Sequence, residues 1–251
     1  MVFDAYARYY DAFYQGKDYA AEAAFVLSRL AAFGCKPASL LDLGCGTGRH
    51  CREFAAAGAE VVGVDISERM IAEAEARRAA DPMIRFQLGD VRVVRLKRCF
   101  DAAVSLFHVM SYQTANQDLA QAFATVAAHL EPGGLFLFDF WHGAGVLSDP
   151  PTRRVRSLRH KGAAIERIAT PEVDASANVV SVRYAITVAD EDSGASESFE
   201  ELHRMRYLFW PEIRLLAEAA GLEPLECHPW MQERDLGQTD WYAYALLRRR
   251  P

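Results

Sequence analysis

Three short apolar runs in the first half of the chain end in residues able to hold a ligand. The first closes on Gly44, Gly46 and Gly48 within LLDLGCGTGRH (40–50), the second on Asp65 in VVGVD, and the third on Asp90 in LGD (88–90). Glycines at alternate positions let backbone approach a ligand with no side chain between them. A helix beginning there also presents N–H groups that have no partner within the helix. An acid at the end of the next strand can accept hydrogen bonds from two ribose hydroxyls. Asp90, with the Val91 amide beside it, can receive an adenine amino group.

A dinucleotide fingerprint would place a further glycine at residue 49, which is Arg49 here. No glycine is then expected to help the following helix close onto its strand. A ligand that brings no diphosphate to this turn, such as the methionine part of S-adenosylmethionine, fits better. A general base could come from His108, which follows the apolar run AAVSLF, and Tyr112 could orient an acceptor. Trp141 and His142 could wall a pocket. Arg204 and Arg206 share one side of a candidate lid strand, with His203, Met205 and Tyr207 on the other. RRVRSLRHK (153–161) could grip a diphosphate, but a solvated basic edge is the simpler reading.

The elements that must position these residues alternate. Apolar strands at 40–43, 59–65, 84–90, 100–107 and 134–140 are separated by helical segments, among them 48–57, 67–80 and 117–130. Such a rhythm predicts a parallel sheet with helices on both faces. From 142 to 209 it changes. VVSVRYAITV (179–188) alternates apolar and polar residues and, with FEELHRMRYLF (199–209), predicts an antiparallel hairpin with one buried face. A helix at 211–220 and strands at 222–228 and 241–248 then close the main sheet. The expected organisation is a Rossmann-like α/β sheet of seven strands (37–141 and 210–251), an antiparallel β insertion after the fifth strand (142–209), and an aromatic, helical lid (1–36).

A net charge of −6 argues against a nucleic-acid surface. Five cysteines without a C-x-x-C pair suggest reduced thiols in the cytoplasm, and not a zinc site or disulfide frame. No run reaches the roughly 18 apolar residues of a membrane span, and the N-terminus lacks the apolar core of a signal peptide. Asp139 alone, after the later strands, is too little for a catalytic metal, so none is expected.

LDLGCGTG (41–48), GVDIS (63–67), LGD (88–90), FDAAVSLF (100–107) and LEPGGLFLFDF (130–140) resemble the motifs of class I S-adenosylmethionine-dependent methyltransferases. The likeness implies cofactor contacts from Asp42, Gly44, Cys45, Gly46 and Gly48, from Asp65, Ile66 and Met70, and from Gly89, Asp90, Val91, Leu106 and Phe107. A narrower likeness, carried by YYDAFYQGKDYAAEA (9–23), LFHVMSYQ and HRMRYLF, is to enzymes that methylate the 3-amino group of nucleotide-linked deoxysugars. It implies that Tyr10 lies against the cofactor and that Tyr19 faces the sugar. Tyr14, Trp141, Arg204 and Arg206 are further candidate substrate contacts. Two positions depart from that group. Tyr112 stands where those enzymes have an active-site histidine, and their closing tyrosine aligns near Val2, which leaves Phe3 or Tyr6 to replace it.

The expected function is methyl transfer to a small-molecule acceptor, possible acceptors being a sugar amine or a sugar or natural-product hydroxyl. The rival is a binding module that senses S-adenosylmethionine without turnover. A protein or tRNA methyltransferase is disfavoured by the acidity and by Phe107-His108-Val109-Met110 where an N-P-P-Y-type motif would stand. The expected partners are the acceptor and, as the open oligomeric state, a second copy of the chain; no nucleic acid or membrane is expected.

Overall fold

The computed structural model describes residues 7–78, 81–190 and 193–251; Phe3 and Tyr6 lie outside them. After helices α1 (Ala7–Phe13) and α2 (Tyr19–Ala32), the first half runs β1 (Ser39–Leu43), α3 (Arg49–Ala56), β2 (Glu60–Asp65), α4 (Glu68–Arg77), β3 (Ile84–Leu88) and β4 (Phe100–Ser105). A 3-10 turn (Val109–Tyr112), α5 (Asn116–His129), β5 (Leu130–Trp141) and α6 (Gly143–Ser148) follow. Next come the insertion strands β6 (Arg154–His160), β7 (Ala163–Asp174), β8 (Val179–Asp190) and β9 (Ser196–Arg206), and then α7 (Trp210–Ala219), β10 (Leu222–Pro229) and β11 (Tyr242–Arg249).

The main sheet has the order β10-β11-β5-β4-β1-β2-β3. Its strands from β5 to β3 are parallel, while β11 pairs antiparallel with both β5 and β10. Side chains alternate between the two covered faces, as the strand period requires. Leu40 of β1 packs with α2 and α3 residues such as Val26, Leu30 and Phe54. Its neighbours Leu41 and Leu43 join Phe123 and Val126 of α5 and Ile213 of α7 on the other side. Because neither face of the inner strands meets water, β1, β2, β4 and the second half of β5 read as nearly continuous apolar runs.

Pro132-Gly133-Gly134, between the expected helix at 117–130 and strand at 134–140, forms a bulge within β5. Pairing with β4 slips from Phe100↔Leu130 to Ala102↔Leu135, and Gly133 takes φ +82°. The insertion is a four-stranded antiparallel sheet, β6-β7-β8-β9, larger than the expected hairpin. Edge strand β6 is mostly exposed, so its basic sequence carries no apolar alternation. The inner face of this sheet packs partly on α1, through Phe13, Ile165, Ile186 and Val188. Farther along, Val180 and Val182 pack with Val146 and Tyr207, close to Trp141. Helix α1 is thus held between the insertion and the carboxyl edge of the main sheet.

Candidate active site

The three glycines after β1 all have positive φ, but they meet different surroundings. A Cβ on Gly44 would stand 2.4 Å from Val109 of the 3-10 turn, and one on Gly48 2.4 Å from Phe86 of β3. At Gly46 (φ +54°) no atom of the described residues beyond its chain neighbours lies within 4 Å of that position. Gly48 therefore does what no glycine was expected to do, bringing the start of α3 close to the sheet through Phe86. Gly46 alone is the side-chain-free approach.

Asp65 ties this loop to β2. Its Oδ2 accepts the N–H of Gly46 (2.8 Å) and its Oδ1 that of Ser67 (2.9 Å). Burial raises its pKa, with these backbone donors opposing the rise. A carboxylate offers about four lone-pair sites, so two can still accept ribose hydroxyls. Asp42 lies behind the loop. It accepts the Cys51 thiol at 3.2 Å, keeps a buried Oδ1 with no hydrogen-bond partner, and is pushed up to about 6 by burial. Burial also pushes the Cys45 thiol up to about 11, which makes it a packing group and not a nucleophile.

Ile66 and Leu88, at the ends of β2 and β3, are 51% and 47% exposed, so apolar surface flanks the buried acid. That open glycine, acid and apolar rim fit a nucleoside. Met70 is buried under the first turn of α4, where its N–H is capped by Ser67. Gly89 donates to the Asp65 carbonyl at 2.9 Å, and Val91 is buried. Asp90 is clamped by Arg92, whose hydrogen bonds hold its carboxyl below the usual range; Arg92 also pairs with Asp118. An adenine amino group would share Asp90 with that guanidinium.

Beyond β4, Leu106 is buried, and Phe107 and His108 both adopt left-handed backbone (φ +67° and +65°). Two such non-glycine residues in succession cost on the order of 1–3 kcal/mol each and persist only where surroundings hold them. Here the holder is Asp139 on β5. Its Oδ1 accepts the His108 N–H (3.0 Å), and its Oδ2 lies 2.8 Å from His108 Nδ1, an ion-pair contact bent away from a straight hydrogen bond. Burial would raise Asp139, yet His108 outweighs it and holds the carboxyl below its ordinary value. The imidazole is stacked between Phe107 and Tyr242, centroids 5.6 and 4.9 Å away. Trp141 meets it edge-on at 6.3 Å and packs against Trp241.

The aromatic N-terminal segment reaches the same edge. Tyr10 and Tyr14 set ring edges against Phe107 at 6.0 and 4.9 Å, with Lys17 over its face at 4.3 Å. Asp11 ties α1 to the glycine turn, accepting the Thr47 hydroxyl at 3.1 Å and pairing with Arg49 and Arg77. Tyr19 lies farther back against His50, under Arg49, with its phenol pushed up to about 12 by burial. Tyr112 bonds His203 of the insertion at 2.9 Å. Arg204 and Arg206 do not act as a pair. Arg204 is exposed on the outer face of β9. Arg206, where the strand ends, is buried, pairs with Glu212 and donates to the Thr114 carbonyl at 3.3 Å. His142 donates its backbone N–H to the Trp241 carbonyl at the root of the insertion.

Sequence reasoning passed over Asp11, Tyr242 and the pairing of Asp139 with His108. Only Asp139 left a signal, as an acid interrupting an otherwise apolar strand. Among the described residues no group of three or more His, Cys, Asp or Glu could hold a metal ion. Nor is any described helix long and apolar enough to cross a membrane.

Comparison with known proteins matches residues 40–134 to a methyltransferase domain family. The chain is 32% identical, over 86% of its length and 90% of the relative's, to dTDP-3-amino-3,4,6-trideoxy-alpha-D-glucopyranose N,N-dimethyltransferase of Streptomyces venezuelae. Among solved structures, DesVI of Streptomyces venezuelae superposes with a TM-score of 0.80 at 28% identity, covering 99% of both chains. CalS10, an amino pentose methyltransferase of Micromonospora echinaspora solved with S-adenosylmethionine bound, gives 0.75 at 26% identity over 96% of each.

Proposed function

Because this chain belongs to the class I S-adenosylmethionine-dependent methyltransferases, we propose that its acceptor is the amino group of a nucleotide-linked deoxysugar. The observation that carries this acceptor class is the reach of the likeness. It runs past the cofactor half and through the insertion that covers the site, over 219 residues, to a relative named for methylating such an amine.

S-adenosylmethionine supplies an electrophilic methyl group, attacked in line by a nucleophile as the sulfur departs as a thioether. The chain's own contribution is to hold, align and dry. Gly46 and Asp65 support the nucleoside reading, and Tyr10, Phe107, Ile66 and Leu88 offer it apolar surface. Helix α1 and the insertion exclude water, so most of the rate comes from positioning. A neutral amine needs one hydrogen-bond acceptor more than a strong base, and His108 and Tyr112 are the candidates. Tyr14, Tyr19 and Trp141 are the proposed sugar-side contacts. Arg206 is spoken for by Glu212, which leaves it a structural part.

Incubation with S-adenosylmethionine and a dTDP-linked 3-amino-deoxysugar should release S-adenosylhomocysteine and add one or two methyl masses to the sugar. Turnover of hydroxyl sugars alone would overturn the amine. That second reading, O-methylation, draws support from the Asp139-oriented imidazole of His108, which is of more use to a hydroxyl acceptor. The negative charge supports a small acceptor over nucleic acid, and the unpaired thiols support a reducing compartment such as the cytoplasm. A homodimer is the oligomeric state to test by light scattering.

A further inference from the structure

A second histidine–carboxylate pair lies on the lid side of the site. His203 and Glu201 are 2% and 8% exposed on the inner face of β9. The register sets them opposite Val182 and Tyr184 of β8, and the same face carries Val180, Ile186 and Met205. His203 Nε2 lies 3.3 Å from a Glu201 carboxylate oxygen, an ion-pair contact bent away from a straight hydrogen bond, and its Nδ1 lies 2.9 Å from the Tyr112 hydroxyl. Tyr112 belongs to the 3-10 turn after β4, so the contact crosses from the insertion to the catalytic edge. Among the described residues, the other ionisable groups facing this pair are Tyr184 of β8, its ring 4.7 Å from that of His203, and Arg167 of β7, whose guanidinium covers Tyr184. Burying a carboxylate and an imidazole in a valine-lined sheet carries a desolvation penalty that packing alone does not call for.

We propose that Tyr112, His203 and Glu201 form a proton relay that discharges the methyl acceptor, an inference resting on the amine-methylation reading above. Tyr112 Oη takes a proton from the acceptor nitrogen as its own proton passes to Nδ1 of His203. One proton enters the phenol and one leaves it, and the resulting imidazolium is held by the Glu201 carboxylate. The step requires the tautomer with N–H at Nε2 toward Glu201 and a lone pair at Nδ1 toward Tyr112. Tyr112 is then the catalytic residue, and His203 and Glu201 are positioning residues that act through it. His108, fixed in its strained turn between two rings, walls the site. A lid-borne relay is complete only while the insertion is seated on the 3-10 turn.

The test compares pH–rate profiles, over about pH 6 to 9, of the wild type, Tyr112→Phe, His203→Asn and His108→Asn with a nucleotide-linked amino sugar. Tyr112→Phe should lower kcat about 10²-fold while leaving KM nearly unchanged, and His203→Asn should remove or move the acid limb. An acid limb moved by His108→Asn and not by His203→Asn would overturn the relay, as would a Tyr112→Phe enzyme of wild-type kcat. Nitrogen NMR of the S-adenosylhomocysteine complex reads the relay without turnover. His203 should show an unprotonated Nδ1 whose titration shifts in Tyr112→Phe, and a proton resident on Nδ1 at neutral pH would overturn it. If the wild type methylates no amino sugar, the acceptor reading falls, and the NMR result still decides the relay.

Discussion

Gly44 and Gly46 share a letter and a positive φ, but only their neighbours say what each one does. Alanine at either pays about 1–2 kcal/mol for left-handed backbone. Gly44→Ala must in addition displace Val109, so it should lower the melting temperature clearly more than Gly46→Ala. Gly46→Ala should instead weaken S-adenosylmethionine binding at modest cost in stability. Calorimetric affinity beside a thermal melt separates the two, and equal binding losses would refute the distinction. The sequence marks all three glycines as unusual, yet it cannot show that Val109, some 65 residues on, fills the space at one of them. The Phe107–His108 turn was hidden for a related reason, since neither residue type advertises a left-handed backbone. The holder, Asp139, sits on another strand.

At the scale of elements, α2 is fastened to α3 by a hydrogen-bonded pair as well as by apolar packing. Glu22 sits between Lys17 and His50, with His50 Nε2 2.8 Å away. Burial pushes the Glu22 pKa up, but its hydrogen bonds to His50 and Lys17 prevail and hold it below the ordinary value. A carboxyl depressed in the folded state adds stability above its unfolded pKa, near 4.3, and loses it as pH falls through the folded value. Glu22→Gln should therefore destabilise the protein by about 1–3 kcal/mol at pH 7. The difference should shrink toward zero in denaturant melts below about pH 4, and a constant gap would contradict this assignment. Elements with strong apolar period were legible: β1, β2, β4, α5, α7 and the β8–β9 pair match the expected spans closely. β6 and β7 were not, because one is exposed and the other turns Arg167 inward, so neither alternates in the usual way.

For the whole molecule, the cofactor and the fold should be linked by mass action. S-adenosylhomocysteine at a hundred times its Kd should add about 2.7 kcal/mol, raising Tm by about 5–10 °C for a chain of this size; no shift would count against a nucleoside site. The placement of α1 carries this further. Asp11 pins that helix to the glycine turn while Tyr10 and Tyr14 press on Phe107, with the insertion closing behind. Spent donor trapped under such a clasp leaves only when the clasp lifts, and a fresh donor enters by the same door. A twice-methylated amine would then be made in separate visits. In that case the singly methylated sugar should drift off between rounds and accumulate early in a reaction time course before the doubly methylated form overtakes it.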